Sequence, residues 1–171
     1  ELMTSLGKTT FLASRTGYLG YYHDGMKEVK SIQLPQGITT INCILTYNNS
    51  VLLGTNIGIV LIGPNYQTRV LNVQQPAQPS AEVKEVFIDS KKRIWAFTNT
   101  QGVIMFTSPN TSPVWMNAQA DNDDNATNSK VPFVVEDKFH TVWVIPTGGT
   151  FSYFDEQHKQ LVPFPLKASN G

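Results

Sequence analysis

A single cysteine, Cys43, stands in a chain of 171 residues, so the fold forms without an internal disulfide. It lies in the apolar run from Ile41 to Leu45, where a small buried side chain is expected. No apolar stretch reaches the roughly 18 residues that a membrane-spanning helix needs. Charge imbalance is missing too: Lys plus Arg and Asp plus Glu are both 13, which leaves no electrostatic footprint for nucleic acid or an anionic membrane. Charged residues make up only 15% of the chain. Nowhere is the period of an amphipathic helix sustained.

Signatures of chemistry are equally scarce. The three histidines, His23, His140 and His158, show no metal-ligand spacing. There is no Gly-x-Ser-x-Gly elbow, and paired carboxylates are rare outside one loop. Neither catalysis by this segment nor a cofactor is expected. The chain starts at Glu1 without a methionine or a signal-like segment. It reads as a piece of a longer protein, which would carry any targeting or membrane segment.

What the sequence has in plenty is repetition. Leu12 to Gly17, Leu53 to Gly58, Trp95 to Gly102 and Trp143 to Gly149 each run from an apolar strand through a turn former to a glycine, and a second apolar strand follows each glycine. Between the equivalent positions Ser14, Thr55, Thr98 and Pro146 the steps are 41, 43 and 48 residues. In the third repeat Val83–Asp89, Arg93–Thr98, Val103–Phe106 and Val114–Asn117 read as four strands, with Gly102 suited to a positive φ in the turn. The fourth repeat follows the same plan from Phe133 to Phe164. Inner strands are apolar at consecutive positions, as in Val51-Leu52-Leu53 and Trp143-Val144-Ile145, so both faces of each sheet should be covered.

Modules of this period, each an antiparallel sheet of four strands, predict an all-β chain of the β-propeller type with four blades, a fragment of a larger propeller. The approximate blades are 1–37, 38–78, 79–120 and 129–168, with an acidic insertion at 121–128. A single β-sandwich would share the composition but has no need of recurring units at near-constant spacing.

The pattern Val-x-x-Val-x-x-Asp-x-x-x-x-Ile-Trp-x-x-Thr with a following Gly-Val, at Val83 to Val103, resembles the repeat of two-component regulator propellers. Val131 to Phe154 is similar, the second repeat less so, and the first only loosely. Such repeats occur in the extracytoplasmic sensor regions of Bacteroidetes hybrid two-component histidine kinases. The resemblance implies a periplasmic ligand-sensing segment, oligosaccharide-responsive and not itself catalytic, tied to the membrane only through other parts of its parent. A free-standing propeller for protein contacts, or a propeller carbohydrate-active enzyme, is the alternative.

The motif residues read as structural: Trp95 and Trp143 packing between blades, Gly58, Gly102 and Gly149 making turns, Asp89 and Asp137 bonding turn amides. Asn99, Gln101 and Thr147 lie in turns on one rim and are the ligand-contact candidates. Asp121, Asp123 and Asn125 alternate as at the start of a calcium loop, but Ala126 and Pro132 stand where glycine and a bidentate glutamate belong. Sugars stack on flat rings, which brings in Tyr18, Tyr21, Tyr22, Tyr47, Tyr66, Trp115 and Tyr153, although cores and blade contacts claim most aromatics of this kind. Because uncovered blade faces would expose apolar patches, either self-association through the outer faces of the first and fourth blades or a compact four-bladed closure is also expected.

Overall fold

A computed structural model of the chain describes residues 1–71, 82–98, 102–116, 133–145 and 151–164. The described residues contain sixteen strands in four antiparallel sheets. The first sheet holds β1 (Leu2–Leu6), β2 (Thr9–Ala13), β3 (Leu19–His23) and β4 (Lys30–Ser31). The second holds β5 (Ile41–Tyr47), β6 (Ser50–Thr55), β7 (Gly58–Ile62) and β8 (Thr68–Leu71). The third holds β9 (Val83–Ile88), β10 (Ile94–Thr98), β11 (Val103–Phe106) and β12 (Val114–Met116). The fourth holds β13 (Phe133–Glu136), β14 (Val142–Ile145), β15 (Ser152–Asp155) and β16 (Gln160–Pro163). In every sheet, spatial order follows chain order. The chain divides into two compact units, Glu1–Val86 and Phe87–Gly171.

Alternation along the strands builds the core of each unit. In the first, Phe11 and Ala13 of β2 lie beside Leu19 of β3, while Val51 and Leu53 of β6 lie beside Ile62 and Val60 of β7. These side chains meet in one buried cluster with Ile32 and Ile41. In the second, Trp95, Phe97, Val103 and Met105 meet Val142, Val144 and Phe154. Burial of each such side chain contributes about 1.5–3 kcal/mol.

The other faces differ. Leu52 and Ile59 of the second sheet, and Ile94, Ala96 and Ile104 of the third, are fully buried as well. The fourth sheet alternates instead: Val142 and Val144 are buried, while Trp143 and Ile145 are half-buried. The consecutive apolar residues of β14 are therefore not equally enclosed on both faces.

One turn recurs. Three-residue loops close between Ser14 and Tyr18, Gly63 and Gln67, Asp89 and Arg93, and Asp137 and Thr141, each through a backbone N–H of the first residue to the carbonyl of the last. The third loop position must be left-handed. Its occupants are Gly17 (φ 87°), Tyr66 (61°), Lys92 (63°) and His140 (63°). By contrast β1–β2 and β5–β6 use two-residue turns, with Gly7 or Asn48 at positive φ. The aspartate before the turn has no counterpart there because the loop it would brace is shorter. Left-handed geometry costs a non-glycine residue about 1–2 kcal/mol, and glycine gives back part of that in chain entropy. Lys92→Gly should therefore stabilise the protein by about 0.5–1 kcal/mol, read as a rise in thermal midpoint; a fall would show that the lysine side chain holds the turn.

Candidate functional site

The first unit carries an open groove of about 520 Å3 beside the last strands of its two sheets. The first strands of the two sheets, β1 and β5, approach each other. The groove is lined by Tyr21 of β3, by the segment Ser31 to Gln36 that leaves β4, and by Tyr66 to Thr68 entering β8. Tyr21 and Tyr66 stack with centroids 3.9 Å apart and planes inclined by 17°. Phe11 lies 6.2 Å from Tyr66, which ties the pair to the core. Around the rings the described lining is uncharged: Ile32, Leu34 and Pro35 are apolar, and the amides of Gln33, Gln36 and Gln67 and the hydroxyls of Ser31 and Thr68 are polar.

A second groove of about 390 Å3 lies in the other unit, between Trp115 and the segment Lys159 to Pro163. Its described lining carries a cation, Lys159, and one aromatic ring, Trp115.

The Asp–Trp motif is a brace. Asp89 Oδ1 accepts the Arg93 backbone N–H at 2.9 Å, and Oδ2 accepts from Trp95 Nε1 at 2.8 Å and Arg93 Nε at 2.6 Å. Asp137 repeats the scheme: Oδ1 takes the N–H groups of Phe139 (2.8 Å) and Thr141 (3.0 Å), and Oδ2 takes Trp143 Nε1 at 2.9 Å. Arg93 belongs to the third sheet alone, and its guanidinium is almost fully enclosed. Its Nη1 donates to both oxygens of Glu156, at 2.8 and 2.9 Å, and its plane lies over the rings of Trp95 and Phe154. Nη2 is buried and has no hydrogen-bond partner among the described residues. Every other polar group of this cluster is engaged, so it locks the third and fourth sheets together and offers no reactive group.

Electrostatics in the fourth sheet follow from these bonds. The indole N–H of Trp143, aided by the Thr141 and Phe139 amides, holds the Asp137 carboxyl below its ordinary range. His158 does the same for Asp155, with the Gln157 amide. Burial pushes Glu156 up, but Lys91 and Arg93 outweigh it and the net shift is downward. Carboxyls depressed in the folded state contribute stability that is complete above their unfolded pKa and is lost as pH falls through the folded one. The thermal midpoint should thus hold from neutrality to about pH 5 and fall steeply below about pH 4. A midpoint unchanged at pH 3 would refute this.

Cys43 is half-buried rather than fully enclosed, beside an irregularity in β5. Its Sγ occupies the space where a Cβ on Gly54 would sit, 2.6 Å away. Burial, above all other causes, pushes its thiol up to about 11. At pH 8 iodoacetamide should alkylate it far more slowly than a free thiol, with ordinary reactivity returning in urea. Equal rates in both conditions would overturn that.

The ligand candidates Asn99, Gln101 and Thr147, the turn residue Gly149 and the calcium candidates Asp121, Asp123 and Asn125 all lie outside the described residues. A counterpart of Asn99 is described: Asn56 also follows the threonine that ends a second strand. Its Oδ1 accepts the N–H groups of Thr39 and Thr40, at 2.9 and 3.1 Å, and its Nδ2 donates to Gly37 O at 2.9 Å. At that position the amide pins the segment between sheets. Gly58 and Gly102 sit at φ 124° and 74° in turns closed by the hydroxyls of Thr55 and Thr98.

No family model matches the chain, and no curated protein matches it. Solved structures do. A streptogramin B lyase superposes with TM-score 0.68 at 11% identity, over 98% of this chain and 55% of its own. The extracellular domain of a hybrid two component system from Bacteroides thetaiotaomicron gives TM-score 0.64 at 16% identity, over 96% of this chain and 22% of its own.

The fold is that of a β-propeller.

The four sheets are thus its blades. An auxiliary nutrient binding protein from the same Bacteroides species gives TM-score 0.57 at 10% identity, over 95% of this chain and 40% of its own. The chain therefore spans about half of the lyase and less of the other two. Among the described residues, no three His, Cys, Asp or Glu side chains cluster so as to hold a metal. No helix of the described residues is long and apolar enough to cross a membrane.

Proposed function

We propose that this chain is a ligand-sensing propeller segment from the extracytoplasmic, periplasmic part of a hybrid two-component sensor histidine kinase. In this reading it responds to an oligosaccharide and does not itself catalyse. The observation that carries the proposal is the repeated Asp–Trp brace: the two stretches that resemble two-component regulator propeller repeats are those in which Asp89 and Asp137 take a tryptophan N–H. The fold shared with an extracellular domain of such a system and with a nutrient binding protein supports it, although fold alone names no ligand.

Calorimetric titration with neutral and acidic oligosaccharides, coupled to product analysis, tests the proposal. Binding without turnover is expected. Turnover would move the chain to the enzyme reading, which the lyase among its structural neighbours keeps in view. A parent gene that encodes a membrane helix and a kinase after this segment is the second expectation, and a hydrolase in that place would end the sensor reading.

Self-association belongs to the same proposal. Met3 (68% exposed) and Tyr22 (38%) on the first blade, and Val135 (37%) and Phe164 (45%) on the fourth, leave apolar surface for a second copy. Sedimentation showing only monomer at high concentration would remove it.

A further inference from the structure

We infer that the groove of the first unit is a binding site for a neutral oligosaccharide, seated on the Tyr21–Tyr66 pair; this rests on the sensing reading above and gives it a location.

Tyr66 holds a strained backbone conformation. Its loop, Pro64-Asn65-Tyr66, is closed by Gly63 N to Gln67 O at 2.9 Å and by Tyr66 N to Gly63 O at 3.0 Å, and it places Tyr66 at φ 61°. The equivalent positions elsewhere hold glycine or a hydrophilic side chain directed at water, Lys92 and His140. A bulky aromatic is poorly suited to left-handed geometry, and such outliers gather at ligand sites. Here the strained position delivers a ring onto Tyr21, across 45 residues of sequence, to make a stacked pair at the groove.

The described surroundings of the pair carry no charge. None of the ten described residues that line the groove is Asp, Glu, Lys or Arg. Nothing among them would neutralise a phosphate, a sulfate, a uronate or an amine, and burying such a charge without a partner is unfavourable. Beside the apolar Ile32, Leu34 and Pro35 it offers amide and hydroxyl groups, which both donate and accept, as sugar hydroxyls do. Gln33 and Gln36 are exposed, and their side-chain amides form no hydrogen bond with other described residues. A stacked ring pair edged by free amides matches a pyranose, apolar on its C–H face and polar at its rim. The volume of about 520 Å3 lies within the usual range for ligand clefts.

The test titrates the protein with xylohexaose, cellohexaose, mannohexaose and a galactan hexasaccharide as neutral probes, and with oligogalacturonate and a sulfated heparin hexasaccharide as charged ones. Calorimetry supplies affinity, and amide chemical-shift changes supply location. At least one neutral probe is expected to bind and to shift Tyr21, Tyr66 and the Gln33–Gln36 segment. The double variant Gln33→Ala/Gln36→Ala should weaken that binding at least tenfold with an unchanged unfolding midpoint, because both side chains are exposed. Tyr66→Gly should abolish it while leaving the turn intact, since glycine suits φ 61°.

Wild-type affinity in both variants, or shifts confined to other residues, would overturn the groove and leave the sensing reading standing. Binding of charged probes only would do the same. Cleavage of a probe would overturn the non-catalytic reading and leave the groove. No binding by any probe would remove both.

Discussion

Replacing Asp89 by alanine is expected to destabilise the second unit by about 3–5 kcal/mol, the loss that follows when one partner of a buried ion pair is removed. Asp89 is 1% exposed and accepts three hydrogen bonds, two of them from Arg93 and one from the Trp95 indole. Its removal strands the indole N–H in the core and leaves the Arg93 guanidinium, 5% exposed, with Glu156 as its remaining counter-charge. Against a typical domain stability of about 5–15 kcal/mol, that is a large fraction. All three tryptophans, Trp95, Trp115 and Trp143, lie after Phe87, so their fluorescence reports this unit selectively. Urea titration followed by tryptophan emission should show a lower midpoint with little change in slope. The double variant Asp89→Ala/Arg93→Met should recover much of the loss, because an apolar replacement of a buried pair leaves no charge behind. A single-variant loss below about 1 kcal/mol would mean that Glu156 and the two aromatic rings suffice to hold Arg93. Asp137→Ala should cost less, since Thr141 stands where Arg93 does and no buried cation is abandoned.

How much of this could be read from residues alone depended on how local each signal was. The inner strands were legible because Val51-Leu52-Leu53, Ile94 to Phe97 and Val103 to Phe106 are apolar runs ended by turn formers, and β-pairing over a short turn needs no distant information. Strand β4 left no such trace: Lys30 and Ser31 are both exposed and pair only at Tyr21 and Gly20. The Asp–Trp spacing is the same in both motif blades, yet the indole bond between them is invisible in sequence, where the aspartate is expected to brace turn amides and the tryptophan only to pack.

The groove was the least legible part. Tyr21 and Tyr66 appear among seven aromatic candidates, and nothing local joins them; the superposition of two blades brings their rings to 3.9 Å. The glutamines at 33, 36 and 67 gave no signal, as uncharged polar residues in turns seldom do. One trace was available in principle. The position that Gly17 fills in the first blade is taken by Tyr66 in the loop before β8, and an aromatic where the turn asks for glycine marks a site held against its local preference.

Trp95 and Trp143 occupy the same place in the motif, and their truncation should separate packing from pattern. Trp95 is fully buried, stands edge-on to Phe154 at 5.0 Å, and lies beneath the Arg93 guanidinium at 5.4 Å. Trp95→Ala should cost about 3–5 kcal/mol, through lost burial and a cavity that Phe97, Met105 and Val144 cannot fill from their own rotamers. Trp143 is half-buried, packed on Tyr153 and Phe164, and Phe164 is itself 45% exposed. Trp143→Ala removes less enclosed area, and about 1–2 kcal/mol is expected. Trp95→Phe refines the comparison, because it keeps a ring in the core while deleting the N–H that Asp89 accepts. If most of the Trp95 effect persists in the phenylalanine variant, the brace dominates; if it vanishes, the ring does. Denaturation followed by far-ultraviolet circular dichroism, which survives the loss of a fluorophore, supplies the values. Equal losses at the two tryptophans would contradict the burial difference and would mean that the unfolding unit senses the motif itself, through the Asp–Trp bond that both blades share.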